Sequence, residues 1–350
     1  MILTQQKKDI RKTSIEDIKK FLVEHGEKPF RATQIQEWLW KKSAQSFEEM
    51  TNLSSSTRQL LSENYCINGV VVDKKQVSAD RTIKSTFKLF DGNIVEGVLI
   101  PTSDRMTACV SSQVGCSLSC KFCATGYMER KRNLDAAEMY DQVVQIRNQA
   151  EEHYNIPLTN IVYMGMGEPL LNYNSVIESI ERITSPAGLN MSPSRITVST
   201  AGIAKMIKKL GDDEVKFNLA LSLHAANDTK RNQIMPINES NTLKVLGEAL
   251  KYYYSKTKNP VTYEYIVFKD FNDEIIDAEE LYQFTKNVPC KVNIIEYNPI
   301  AEADFVNTNE DKLARFGRHL EKKGVRVVIR RSRGKDIDAA CGQLAGKDKK

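Results

Sequence analysis

The chain has 350 residues, with 50 Lys+Arg against 45 Asp+Glu, 4 His and 7 Cys, for a formal net charge of +5. This length suits one large or two ordinary domains with a core that needs no disulfide staples, and a composition 41% hydrophobic and 27% charged excludes a disordered chain. An odd cysteine count, with Cys116, Cys120 and Cys123 in one short stretch, excludes a simple disulfide framework and points to thiolate chemistry in a reducing compartment.

The N-terminus, MILTQQKKDIRK, has no apolar core between its charges, so no secretory signal is expected. No run of 18 apolar residues follows, so the expectation is a soluble, cytoplasmic protein without a membrane partner. Residues 1 to about 65 read as helical. Ser14-Ile15-Glu16-Asp17 is a helix start with early acids, and Ile35, Trp38 and Leu39 share one apolar face. A serine cap opens a third helix over 54–65. Up to residue 85 there are 15 Lys/Arg and 11 Asp/Glu, a net of +4, which leaves a solvated surface and a nucleic-acid face equally open. Strands are predicted at 69–77, 83–90 and 94–100, with Asp91-Gly92 as the turn between the last two.

From about residue 105 short apolar strands alternate with helices. Strands are expected at 106–110, 159–164, 195–199, 216–223, 261–268, 291–297 and 325–330. Helices fit between them at 135–150, 174–184, 203–210, 241–255, 275–287 and 309–323. This alternation predicts βαβ units on a parallel sheet, and a full or partial α/β barrel suits the number of units. Function is then expected at the C-terminal ends of the strands.

The first of these strands runs into Cys116-x3-Cys120-x2-Cys123. Closely spaced thiolates suit a soft metal centre. A structural zinc site wants four ligands, and no fourth Cys or His lies nearby. Three thiolates on a [4Fe–4S] cluster leave one iron open. A zinc site completed by a distant residue remains the alternative. The second strand ends in Met164-Gly165-Met166-Gly167-Glu168-Pro169, where glycines admit close backbone approach and the Glu can accept from an ammonium group. Ser199 ends the third strand, Ser222-Leu223-His224 the fourth and Asn298 the sixth. Each alone is explained as a cap, a rim histidine or a turn. Together they are what a cofactor-lined barrel mouth requires. Cys66 and Cys290 read as packing cysteines. Cys109 lies in the first strand, and Cys341 in a polar C-terminal stretch.

The cysteine motif at this position resembles the signature of radical S-adenosylmethionine (SAM) enzymes. GEKPFRATQIQEWLW, VEGVLIP, MGMGEPLLN, SLHAANDTKRNQIMPIN and GKDIDAACGQLAG, in this order, resemble the RNA adenine C2-methyltransferases of that superfamily (RlmN type) over nearly the whole chain. One departure is Tyr127-Met128-Glu129-Arg130, where many relatives carry a glycine-phenylalanine pair.

The resemblance implies an α/β fold: a partial (β/α)6 radical-SAM barrel at 86–335. A small helical accessory domain with a short antiparallel linker sheet precedes it at 1–85, and a segment at 336–350 carries a methyl-accepting Cys341. It implies one [4Fe–4S] cluster per chain on Cys116, Cys120 and Cys123. It implies two SAM molecules per turnover, with cofactor contacts at Gly167, Glu168, Ser199, Ser222, Leu223, His224 and Asn298. Adenine C2 lies between two ring nitrogens and has no nucleophilic lone pair, so plain displacement on a sulfonium methyl cannot reach it. In the family's chemistry Cys341 is methylated first. A radical then converts its methyl to a methylene that adds to C2, Glu96 removes the C2 proton, and Cys109 releases the product through a Cys109–Cys341 disulfide.

Implied partners are 23S rRNA, free or before assembly, and tRNA, with an external electron donor and a disulfide reductant; a monomer is expected. The basic run Arg330 to Lys335 is expected on phosphate, and the target adenine must leave its stack. Two alternatives stay open: C8 methylation of the same adenine (Cfr type), and a zinc-stapled RNA-binding protein without catalysis.

Overall fold

The structure, a computed structural model, describes residues 7–345; the outermost parts of the 1–85 and 336–350 segments lie outside the described residues. The N-terminal segment forms α1 (Ile15–Glu24), α2 (Arg31–Trp40) and α3 (Ser55–Asn64), flanked by the two-residue strands β1 (Lys8–Asp9) and β2 (Tyr65–Cys66), which pair in parallel. Ser14 and Ser54 cap α1 and α3 through their hydroxyls, as the serines predict. In α2 the buried face is Ala32, Ile35, Leu39 and Trp40. Trp38 sits at its rim, half-buried under the ammonium of Lys42.

Ten strands then form one sheet in the order β14-β13-β12-β11-β10-β9-β6-β5-β4-β3. They are β3 (Val71–Val77), β4 (Ile83–Lys88), β5 (Ile94–Pro101), β6 (Met106–Cys109), β9 (Asn160–Tyr163), β10 (Ile196–Thr200), β11 (Asn218–Ser222), β12 (Val261–Ile266), β13 (Cys290–Ile295) and β14 (Arg326–Arg330). A small pair, β7 (Gln113–Val114) and β8 (Arg132–Asn133), brackets the cysteine loop. From β6 to β14 every pairing is parallel, whereas β3 to β6 pair antiparallel. The antiparallel strands are therefore continuous with the parallel sheet. A division at residue 85 cuts through β4. The sheet keeps two free edges, β3 and β14, so the barrel is open.

The helices between strands are α4 (Ala136–Tyr154), α5 (Tyr173–Thr184), α6 (Ala204–Asp212), α7 (Asp228–Ile234), α8 (Leu243–Thr257), α9 (Ile275–Thr285) and α10 (Glu310–Lys322). Asp135 opens α4 with a reciprocal capping box to Glu138. Ring contacts of Tyr263 with Phe284 and of Tyr265 with Phe316 pack α9 and α10 on one face of β12. The N-terminal helices are tied to α4 by buried polar links: Arg11 bridges Asp9 (3.0 Å) and Asp141 (2.8 Å), and Tyr140 donates to the carbonyl of Trp40. Removing one partner of such a buried pair costs about 3–5 kcal/mol, so the accessory segment is fixed to the barrel. Among the described residues no helix is long and apolar enough to cross a membrane.

Candidate active site

Sheet register places the predicted residues on one face. Val98 lies opposite Cys109, Cys109 opposite Val162 and Val162 opposite Thr197. Ser199 lies opposite Ala220, Ser222 opposite Glu264 and Glu264 opposite Asn293. Side chains two residues apart share a face, so Glu96, Cys109, Ser199, Ser222, Glu264 and Asn293 line one surface. The helices cover the other, where Ser85 of β4 bonds Gln149 of α4. The apolar composition of the parallel strands alone would suit burial on both faces. The concave side is instead polar near the strand ends, because it faces a site rather than a helix layer.

The cysteine loop lies over that surface. Cys116, Cys120 and Cys123 are half-buried and pack on a small apolar cluster that includes Phe122, Ile234, Phe268 and Tyr297. Gly126 approaches the Cys120 backbone so closely that a Cβ would stand 2.6 Å from its carbonyl. Burial pushes the Cys116 thiol up to about 11, and raises those of Cys120 and Cys123. Among the described residues no three Cys, His, Asp or Glu side chains converge on a single-ion site. In a [4Fe–4S] cluster each thiolate takes a different iron, so the trio need not meet at one point. The departure at Tyr127 is accommodated locally, because its hydroxyl donates to the carbonyl of Lys121 across the loop.

Gly167 has φ +94°, and a Cβ there would stand 2.5 Å from Gln113. Glu168 is buried, which raises its pKa. Its two oxygens accept the N–H groups of Leu170 (3.0 Å) and Ala201 (2.8 Å), so it joins two strand ends. The Ser199 and Ser222 hydroxyls lie 3.2 Å apart. Leu223 is fully buried in the main core, its N–H donates to the carbonyl of Glu264 and its own carbonyl accepts from Ala225 and Arg231, so it shapes the site rather than offering a free group. Asn298 donates to the carbonyl of Cys341 (3.1 Å), and its Oδ1 is buried without a partner. An orphaned acceptor held next to the Cys341 segment, which itself bonds the end of the cysteine loop, fits the implied cluster and SAM, whose ammonium would satisfy it.

His224 is buried with φ +54°, its ring against Phe122, and its Nδ1 accepts the N–H of Ile266 (3.2 Å). Burial, with Arg231 nearby, lowers its pKa to about 3. The unfolded chain therefore binds a proton that the folded chain refuses. The stability this represents is complete above pH about 6.5 and falls as pH drops from there toward 3. The imidazole should keep its neutral NMR signature down to about pH 4, and protonation near pH 6 would show it to be solvated.

The C-terminal stretch crosses the mouth. Gly342 and Leu344 carbonyls accept from Ala124 N–H (2.7 Å) and Thr125 Oγ1 (2.5 Å), directly after Cys123. Ala345 N–H donates to Glu96 Oε2 (2.8 Å). Glu96 is 1% exposed, unlike an ordinary strand glutamate. Cys341 keeps exposed surface yet sits within the walls of the mouth. Desolvation there, with Cys123 and Glu264 adding to it, pushes its thiol up to about 12. The Cys109 thiol is likewise pushed up to about 12, by burial and then by Cys341. Both thiols are free. The two thiols, the cysteine loop and Glu96 thus meet at one place. Cys66 and Cys290 lie elsewhere, half-buried, and Cys290 packs against the main core as expected.

Sequence reasoning missed Arg231, although it lies in a motif that had been singled out. It is fully buried and donates to the carbonyls of Leu223 (3.0 Å) and Ala201 (2.6 Å) and to Asn238 (2.7 Å). It also missed buried Lys84 and Glu264; an apolar-strand reading hides single charges. In the expected phosphate-binding run Arg331, Arg333 and Lys335 stay about half-exposed, open to a phosphate, while each also makes a contact within the protein. Arg331 pairs with Glu310 (2.7 Å), Lys335 with Glu296 (2.9 Å), and Arg333 donates to the carbonyl of Pro101 (2.8 Å). These cations fasten the C-terminal stretch to the barrel.

Residues 9–67 match the family model for the ribosomal RNA large subunit methyltransferase N-terminal domain, and residues 110–282 match the radical SAM superfamily. The dual-specificity RNA methyltransferase RlmN of Cytophaga hutchinsonii is 66% identical, over 99% of this chain and 94% of its own. The RlmN protein of Bacillus subtilis is 41% identical, over 99% and 95%. A crystal structure of a radical SAM methyltransferase from Sphaerobacter thermophilus superposes with a TM-score of 0.91 at 36% identity, covering 97% of this chain and 100% of that one.

Proposed function

This chain belongs to the RlmN family of radical SAM RNA methyltransferases, and on that premise we propose that it methylates C2 of adenine in RNA. The targets are an adenine of the peptidyl-transferase centre of 23S rRNA and the anticodon-adjacent adenine of tRNA. The carrying observation is the meeting of Cys341, Cys109 and Glu96 at the mouth that holds the cysteine loop.

The radical SAM fold brings a [4Fe–4S] cluster and SAM; one cluster on Cys116, Cys120 and Cys123 and two SAM per turnover complete the reading. When bound, they supply a methyl group in one step and a hydrogen-abstracting radical in another. The protein's own part is as follows. Gly167 opens space for the cofactor, and Asn298, Ser199 and Ser222 offer it polar contacts. Cys341 gives up its thiol proton and accepts the methyl. After the resulting methylene has joined C2, Glu96 takes the C2 proton while the C–H electron pair stays with the ring, and the one surplus electron left by the radical addition passes to a one-electron acceptor, a role the bound cluster would supply. Cys109 then attacks the sulfur of Cys341, the bond from sulfur to the methylene carbon breaks, and that carbon takes a proton to become the product methyl. The Cys109–Cys341 disulfide is reopened by an external thiol system in a reducing cytoplasm, and a separate donor supplies electrons to the cluster.

Mass spectrometry of the protein purified without oxygen tests this directly. A methyl group on Cys341 is the expected result; protein turning over RNA with Cys341 never methylated would overturn the mechanism. RNA labelled with deuterium at C2 or C8 reads the position, and loss of the C8 label alone would defeat the C2 assignment.

A further inference from the structure

The base proposed above has a buried cation beside it that no step of the reaction uses. Lys84 in β4 is 7% exposed, and its ammonium lies 3.3 Å from Glu96 Oε1. It also donates to the carbonyl of Asp338 (3.4 Å). Register explains the meeting. Thr86 is the residue opposite Glu96 and Val98 is opposite Lys84, so Lys84, Glu96 and Val98 share the face on which Val98 meets Cys109. An ammonium is seldom buried unless its charge is answered, so one kept at this position beside buried Thr86 and Glu96 is a costly choice over methionine.

Lys84 also completes a bracket around the methyl carrier. It holds the chain at Asp338, three residues before Cys341. Its partner Glu96 holds the chain at Ala345, four residues after it. The base and the methyl-carrying segment are therefore fastened to each other through one ion pair.

Resting on the assignment of Glu96 as base, we propose that Lys84 is a positioning residue for proton removal. It keeps the Glu96 carboxylate aimed into the mouth, and it sets the path of the Cys341 segment so that the C2 hydrogen of tethered RNA arrives at that carboxylate. Methyl loading of Cys341 does not involve Glu96, and the segment keeps its anchors at Asn298 and Ala124 without Lys84, so loading should persist when Lys84 is replaced.

The test uses the full-length, cluster-loaded protein carrying Lys84→Met, with Lys84→Arg and Glu96→Ala alongside. Three quantities are read: methyl occupancy of Cys341 as purified, covalent protein–RNA adduct during turnover on an RNA substrate, and released methylated RNA. Lys84→Met should keep Cys341 methylated, accumulate adduct, and release product roughly 10- to 100-fold more slowly, at or below the low end of the roughly 10²- to 10⁴-fold a general base itself contributes, as suits a residue that positions the base. Lys84→Arg should recover most of the release rate. A merely structural lysine would lower methyl occupancy and release together, and that result overturns the proposal, as does Lys84→Met releasing product at the parent rate. Should Lys84→Met fail to fold, Lys84→Arg and Lys84→Gln carry the comparison, with Gln expected to accumulate adduct and Arg not. Adduct in Glu96→Ala with none in Lys84→Met or Lys84→Gln sinks Lys84 alone. No adduct in Glu96→Ala removes the base assignment, and the role of Lys84 with it.

Discussion

Cys341→Ala should abolish RNA methylation, with product falling at least 1,000-fold, while the fold and the cluster remain. The thiol is the only atom removed, and in the proposed route every methyl passes through it. The segment's anchors are backbone groups: the Cys341 carbonyl to Asn298, the Gly342 carbonyl to Ala124 and the Ala345 N–H to Glu96. Alanine keeps all three. Because Cys341 keeps exposed surface, the stability change should stay within about 0.5 kcal/mol. Liquid chromatography with mass spectrometry of digested RNA measures the product, and thermal unfolding measures the fold. Methylation within tenfold of the parent protein would show that Cys341 is not the carrier.

Cys109→Ala should stop the reaction later, leaving RNA covalently attached to Cys341. The adduct should appear as a protein–RNA band that survives denaturation and disappears on nuclease digestion. Cys109 is 8% exposed and faces the same surface as Glu96, so it can reach the sulfur of Cys341 without crossing the sheet. Removing this sulfur from a packed site costs about 1 kcal/mol, too little to explain lost release by unfolding. Free methylated RNA at the parent rate would remove Cys109 from the cycle. The raised pKa of Cys109 adds a direction. With the thiol up to about 12, the thiolate fraction at neutral pH is small and grows about tenfold per pH unit, so adduct breakdown in the parent protein should quicken as pH rises.

Much of the architecture was legible because it rests on local periodicity. The strand–helix alternation from residue 105, the serine caps at Ser14 and Ser54, and the turn at Asp91-Gly92 each follow from residues a few positions apart, and all are found. The continuity of the antiparallel strands with the barrel sheet was not legible, because strand pairing between β5 and β6 leaves no mark in either strand's own pattern. Trp38, expected on the apolar face of α2, lies at its rim while Trp40 is buried, for a related reason. A helix face is a stripe of some 100°, and which edge of it is buried depends on what packs there.

The candidate site divides in the same way. By itself the sequence determined which chemistry-bearing residues the protein has and at what spacing: three thiols at the end of one strand, a glycine-glutamate turn at the end of the next, and two cysteines outside the trio. Spacing within a loop is a covalent property, so it survives without a structure. Only the tertiary structure decided that Cys109, Cys341 and Glu96 meet, that Leu223 faces the core, that Arg331, Arg333 and Lys335 also pair within the protein, and that Lys84 and Arg231 are buried beside the site. Those facts depend on sheet register and on chain segments up to about 250 residues apart. No local propensity encodes a contact at that distance; it arises when burial of the whole sheet brings one face of every strand to the same surface.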